Sequence, residues 1–268
     1  MNPLPGGGDG IAPSAARVLD YLLGDGRNFA VDREFAGVLR RAVPDVTMLV
    51  QVARSFMRRA VTHLAAAGVR QFLDLSIGTT AVGNVHEVAR AVDPTCRVVY
   101  VHGDPISVVH TKQLLVGVKR TAVLHASPRD SRKIMATCRD EHLLDLAAPV
   151  GLLMVTGLEM LSRSTDLVAM MARYRRSVVA GSHLVICHLT SDRRPAEMAT
   201  VVEVMSTSPD PVEPRTRDEV VSLFSGFDLL PPGVVDPGHW HVERALDQAE
   251  QAAADMLHVG VGRKPGPA

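Results

Sequence analysis

Residues 72–88 read "FLDLSIGTTAVGNVHEV", and this stretch decides the fold. Phe72 to Leu75 is a short apolar run that carries one carboxylate, Asp74. A glycine-bearing turn follows, and "GNVHEV" then reads as a helix start, with Asn84 placed to cap it and His86 placed to face a cleft. Strand, turn and helix N-terminus in this order form the place where parallel α/β proteins bind nucleotide-like ligands. One feature is unusual: Ser76 and Ile77 precede the first glycine, Gly78, and the next is Gly83. That spacing is not GxGxxG, so a dinucleotide reading is weak and a plain strand-to-helix turn accounts for it equally well.

Working outward, the same alternation repeats. "RVVYVH", "TAVLHA", "VGLLMVT" and "SHLVICHL" are further short apolar runs, separated by amphipathic stretches such as "PISVVHTKQLLVGV" and residues 164–177. Continuous apolar strands alternating with helices predict a parallel sheet covered on both faces. Before residue 72 the period is helical. "SAARVLDYLLGDG" puts Val18, Leu19, Leu22 and Leu23 on one stripe, with Ser14 as N-cap and Gly24 as C-cap. Further helices are expected over 32–43 and 46–67. Near the C-terminus, "TRDEVVSLF" is a helix opened by Thr216. "FDLLPPGVV" and "ADMLHVGVGRK" then predict two strands joined as a terminal hairpin. Residues 1–13, rich in Gly and Pro, are expected to be a flexible tail, and the loop "TSPDPVEP" at 207–214 is expected near the mouth of the site.

Bulk properties exclude several classes of function. The 268 residues suffice for one large α/β domain. Lys plus Arg equals Asp plus Glu at 29 each, so no net field draws the chain to nucleic acid or an anionic membrane. Aromatic residues are only 4%, which leaves little for a base-stacking surface. No apolar run is long enough to span a bilayer, and the N-terminus lacks the pattern of a signal peptide. Three cysteines, Cys96, Cys138 and Cys187, without CxxC spacing predict neither a disulfide framework nor a zinc site and fit a reducing cytoplasm.

Ligands of a doubly wound sheet bind beyond the carboxyl ends of its strands, so the turns there hold the candidates. Asp104 in "YVHGDPIS" can take ribose hydroxyls or cap the next helix, and capping before Pro105 is the better reading. In "HASPRDS", Asp130 reads as a helix cap beside Ser127. Glu159 in "VTGLEMLS" is either a general base or a solvated loop residue. Cys187 and His188 are adjacent on a strand, point to opposite faces and do not make a nucleophile–base pair. The two histidines of "HWH" at 239–241 lack a third ligand for a metal.

The pieces "ARVLDYLLGDGRNFAVDRE", "FMRRAVTHLAAAGVRQFLDL", "GNVHEVARAVDP", "RVVYV", "AGSHLVICHLT" and "GVGRKP" are spread over a match that spans about residues 13–265. On them the chain resembles an actinobacterial family of S-adenosylmethionine-dependent methyltransferases once classed as a domain of unknown function. The resemblance implies the class I methyltransferase fold, a Rossmann-like seven-stranded, mostly parallel sheet with an antiparallel last strand. It also implies a helical lid at 14–45 on a methyltransferase domain at 46–268. The implied cofactor positions are Asp74, Ser76, Gly78, His102, Asp104 and Ser127, with His86 and Glu159 as catalytic candidates.

Against that resemblance the departures cluster. Ser76 stands where the family's turn has its first glycine, His102 where the second strand ends in Asp, and Ser127 where the third turn has Asp. Glu159 replaces a frequent His, Leu19 a Tyr, and "DGR" at 25–27 a Gly-Lys-Asp. Loss of a ribose and an adenine contact weakens binding roughly a hundred- to thousandfold. The expectation is therefore a divergent homologue with a degraded S-adenosylmethionine site that does not methylate. Such a protein serves as partner subunit of an active homologue, in a homo- or hetero-oligomer, or as a repurposed enzyme of secondary metabolism acting on a small molecule. The alternative is an active small-molecule O- or N-methyltransferase with a retuned pocket.

Overall fold

A computed structural model describes residues 12–78 and 83–266. Of the tail expected over 1–13, residues 1–11 lie outside the described residues. The apolar runs become the strands β1 (Gln71–Asp74), β2 (Arg97–His102), β3 (Thr121–His125), β4 (Gly151–Met154) and β5 (His183–Leu189), all mutually parallel. The short β6 (Asp228–Leu229) and the long β7 (Leu257–Arg263) complete a seven-stranded sheet of order β3-β2-β1-β4-β5-β7-β6. β7 runs antiparallel to both β5 and β6. β1 and β4 are neighbours, with Leu73 opposite both Val99 and Leu152, so the strand order reverses direction beside β1. A crevice opens at such a reversal, and ligands bind there.

Side-chain alternation divides the core in two. Phe72, Val98, Tyr100, Leu153 and Val185 face one apolar cluster, and Leu73, Val99, Leu152, Leu184 and Ile186 face the other. The helices are α1 (Ala15–Leu22), α2 (Ala30–Ala42), α3 (Val46–Ala66), α4 (Val85–Val92), α5 (Pro105–Leu114), α6 (Ser131–Asp140), α7 (Leu167–Arg176), α8 (Pro195–Met205), α9 (Arg217–Leu223) and α10 (Gln248–Ala254). Residues of α1–α4, α8 and α10 build the first cluster, and α6, α7 and α9 the second. Burial on both faces is why these strands lack a polar alternation. α3 is the main support. Its Phe56, Ala60, Val61 and Leu64 are fully buried, and Trp240 meets Phe56 edge-on at 5.3 Å. Each such large side chain contributes about 1.5–3 kcal/mol by leaving water.

Two expectations need correction. The last two strands pair antiparallel, but residues 230–256 between them hold a one-turn helix at Pro237–His239 and α10, so they are not a simple hairpin. "DQAE" opens α10 with a reciprocal capping box between Asp247 and Glu250, which ends the helical segment only at Ala254. Ser14 precedes α1, but its side chain caps nothing. Asp210 does that work from the 207–214 loop, its Oδ2 accepting from Ala15 N at 2.8 Å.

α1 is fixed by buried charge. Arg17 Nε donates to Asp32 Oδ2 of α2 at 2.8 Å, with both side chains almost fully buried. Asp32 also accepts from Ser14 N and Phe29 N. Arg17 Nη1 reaches Asp104 Oδ2 at 3.3 Å. α1 thereby lies across the carboxyl ends of β1 and β2.

The turn after β4 depends on Gly157. Its φ is +109°, and an added Cβ would lie 2.9 Å from Ile77 Cγ2. Gly68, after α3, has φ +95° with open space around it. Gly68→Ala is expected to lower stability by about 1 kcal/mol, the left-handed penalty alone. Gly157→Ala is expected to cost about 2 kcal/mol or more, because a steric clash adds to that penalty. Urea denaturation of both variants checks this, and equal losses would contradict it.

Candidate functional site

Three adjoining cavities lie between α1 and the strand ends. The first, about 230 Å³, is bounded by His102, Asp104, Ser127, Gly78, residues 14–16 and Asp210. The second, about 50 Å³, is bounded by Asp74, Ser76, Gly78 and Thr156, with Asp20 from α1 and Arg54 from α3. The third, about 90 Å³, is apolar apart from Glu159, Thr156 and the Cys187 thiol. Ile77 and Gly78 border the first two, and Leu19, Val50, Ala53, Val155 and Thr156 border the last two. The site residues expected from the sequence are thus brought to one edge of the sheet, with one exception. His86 is buried in α4 with Nδ1 2.8 Å from the Tyr100 hydroxyl, and it borders none of the three cavities.

Each side chain has a physical reason for its place. Asp74 ends β1, where its Oδ1 accepts from Ser76 N at 3.0 Å. Burial pushes its carboxyl up to about 6, against the opposing pull of the Ser76 hydrogen bonds and the Arg54 charge. Ser76 Oγ accepts from Val155 N at 3.0 Å, so the hydroxyl ties β1 to the end of β4. Gly78 has φ +76°, a left-handed conformation that favours glycine, and a Cβ there would meet Ala16 O at 3.4 Å, an ordinary contact.

His102 packs beneath the first cavity with Nε2 3.1 Å from Thr111 Oγ1. Burial lowers its imidazole to about 4, so it is neutral at pH 7. Asp104 caps α5 as expected, accepting from Ser107 N at 3.1 Å and Ser107 Oγ at 2.7 Å. Those bonds and Arg17 hold its carboxyl below the usual range, although burial opposes them. Ser127 Oγ accepts weakly from Arg129 N at 3.3 Å. Glu159 is buried in the one-turn helix Leu158–Met160, its Oε2 accepting from Gly157 N at 3.0 Å. Burial raises its carboxyl. Cys187 faces the third cavity while His188 turns to Arg215 Nη1 at 2.9 Å, so the two diverge as strand alternation requires.

Asp20 and Arg54 are the residues that the strand-end rule does not reach. Asp20 is 4% exposed; its Oδ2 accepts from Arg27 N and Asn28 Nδ2, while its Oδ1 is buried without a hydrogen-bond partner among the described residues. An unsatisfied buried carboxylate oxygen costs on the order of 1–3 kcal/mol or more unless something meets it. Arg54 donates to Gly83 O at 2.7 Å, and burial lowers its guanidinium while Asp74 supports its charge. One cation and two acids therefore surround the second cavity. A signal was present in the sequence: Asp20 interrupts the apolar run of α1, and Arg54 lies within a turn of Val50, Ala53 and Met57.

A bound S-adenosyl group would place two opposite charges at its amino-acid end and a neutral adenosine at the other. The groups around the second cavity match the charged end in sign, because Asp20 Oδ1, unpartnered among the described residues, suits an ammonium and Arg54 suits a carboxylate. The first cavity offers room, but its one strand-end carboxylate, Asp104, already serves α5 and Arg17. Among the described residues no group of three His, Cys, Asp or Glu is arranged to hold a metal ion, and no helix is long and apolar enough to cross a membrane.

Comparison with known proteins follows the same line. Residues 8–265 match the profile of a family described as S-adenosyl methyltransferase. A protein of Thermobifida fusca YX assigned as a methyltransferase superposes with a TM-score of 0.89 at 32% identity, covering 96% of this chain and 97% of its own. A DUF574 family protein of Streptomyces avermitilis MA-4680 superposes with a TM-score of 0.86 at 31% identity, covering 95% and 98%. An O-methyltransferase family protein of Burkholderia thailandensis shares the fold alone, with a TM-score of 0.53 at 16% identity over 84% of this chain and 59% of its own. No curated protein matches the chain significantly.

The raised carboxyl of Asp74 makes stability depend on pH. Its folded value, about 6, lies above the ordinary 3.8, so the fold binds the proton more tightly than the unfolded chain does. The contribution is present in full below pH 4 and is lost as pH rises through 6, a change of about 3 kcal/mol. Asp74→Asn removes this component. Its stability relative to wild type is therefore expected to rise between pH 4 and pH 7, which urea midpoints at the two pH values measure. A difference that stays flat with pH would contradict the assignment.

Proposed function

Because this chain belongs to the S-adenosyl methyltransferase family, we propose that it is an active S-adenosylmethionine-dependent methyltransferase of small molecules with a retuned cofactor pocket. The observation that carries the proposal is the second cavity: the unpartnered Oδ1 of Asp20, with Asp74 and Arg54 at the same opening. Asp20 and Asp74 hold the ammonium, and Arg54 holds the carboxylate. These charges sit on α1, α3 and β1 and supply grip that the strand ends of β2 and β3 lack. S-adenosylmethionine supplies an electrophilic methyl group on a sulfonium centre. Ser76 does not stand against this reading, since its hydroxyl is spent on Val155 N. Ser127, Gly78 and the backbone after β2 and β4 border the adenosine end, with α1 covering it.

The expectation of a degraded, non-methylating homologue keeps one supporting observation. Asp104 Oδ2 is taken up by Ser107 and Arg17, and His102, which carries no carboxylate, is turned onto Thr111, so the end of β2 offers a ribose diol little grip. On that reading the chain is a partner subunit of an active homologue, or a repurposed enzyme.

Calorimetric titration with S-adenosylhomocysteine separates the two. Binding to wild type is expected, with a Tm increase that follows from ligand binding to the native state. Asp20→Asn is expected to weaken it about tenfold or more, the loss of one charge-assisted contact. Absence of binding to folded wild type would overturn the proposal and favour the non-methylating reading.

A further inference from the structure

The third cavity contains a chemistry that the cofactor does not use. Its walls are aliphatic, with Val18, Leu22, Leu49, Val201 and Met205 among them, and Glu159 is its ionisable carboxyl group. It adjoins the cavity of Asp74 and Asp20 through Leu19, Val155 and Thr156. Among the described residues, no cationic side chain borders it. Arg215, whose charge reaches Glu159, is bonded instead to His188.

We propose that this cavity is the acceptor site, and that the acceptor is a neutral, apolar, hydroxyl-bearing molecule no larger than a single-ring phenol, oriented by Glu159. The proposal rests on the methyltransferase reading above. An apolar wall selects apolar surface, and a lone carboxylate selects a hydrogen-bond donor while repelling anions. Size follows from volume. About 90 Å³ is less than the roughly 150 Å³ apolar cavity that takes up benzene, which makes a single unsubstituted ring the upper limit.

Glu159 is suited to the proton as well as to the pose. Its carboxylate is anchored by Gly157 N–H, and burial raises its proton affinity. In the transfer, Glu159 takes the hydroxyl proton while the acceptor oxygen forms its bond to the methyl carbon. The carbon–sulfur electron pair leaves with sulfur, which ends as a neutral thioether. Cys187 cannot compete as nucleophile, because burial keeps its thiol protonated.

The test is binding to the protein without cofactor, read by ligand-observed NMR with phenol, benzene and benzoate. Wild type is expected to bind phenol about tenfold more tightly than benzene, and the benzoate not at all. Glu159→Leu is expected to abolish that preference, and Glu159→Gln to keep part of it. Val201→Phe, which fills the cavity, is expected to block both neutral probes. Retained S-adenosylhomocysteine binding reports that each variant is folded, and Val201→Met replaces the larger change if Val201→Phe fails to fold. Equal binding of phenol and hydrocarbon to wild type, or binding undisturbed by filling at position 201, would overturn the proposal while cofactor binding stands. Loss of cofactor binding in wild type would instead overturn the reading on which it rests.

Discussion

The buried pair of Arg17 and Asp32 sets the geometry on which the site depends. It joins α1 to α2 with both side chains out of water, and Arg17 carries the connection on to Asp104 at the head of α5. Removing one partner from such a pair leaves an uncompensated charge and costs about 3–5 kcal/mol. The pair holds α1 across the ends of the parallel strands. Without α1 the crevice beside β1 would be one open trough. With it, three cavities of different chemistry lie along the sheet edge, polar at Asp104, charged at Asp20 and Arg54, and apolar around Glu159.

The same placement decides which groups face the crevice. Grip in an open α/β sheet usually comes from strand ends, because those ends converge on the crevice. Here His102 and Thr111 form a neutral buried contact, and Asp104 is committed to helix capping. Two of the three charged groups at the second cavity sit on helices above the sheet, Asp20 on α1 and Arg54 on α3. Asp20 costs stability while its Oδ1 lacks a partner, and a ligand ammonium is the kind of group that would relieve that cost. Ser76 fits the same economy of contacts. Where glycine would leave Val155 N–H to find another acceptor, serine provides one.

The sheet was legible because strands buried on both faces read as unbroken apolar runs, as in Phe72–Leu75 and residues 183–189. β6 has two residues and leaves almost no pattern, and the alanine-rich α10 hid behind an expected hairpin. The strand-end rule found Asp74, Gly78, Asp104, Ser127 and Glu159 at the cavities, since it follows from topology alone. His86, read from the helix start "GNVHEV" as facing the cleft, is instead aimed at Tyr100 by the first turn of α4. Asp20 and Arg54 were missed because their convergence depends on where α1 crosses the sheet, and no local pattern encodes that crossing. A buried acid inside an amphipathic stripe is the trace it leaves.

The proposed function implies that the charged amino-acid end of the cofactor supplies more of the affinity than its adenosine. Its most direct measure is the ratio of dissociation constants for 5′-methylthioadenosine and S-adenosylhomocysteine on the wild-type protein. The two share the adenosine and differ in the ammonium and carboxylate that Asp20, Asp74 and Arg54 would hold. The account predicts that 5′-methylthioadenosine binds about a hundredfold or more weakly, the sum of two charge-assisted contacts. Equal affinities would contradict it.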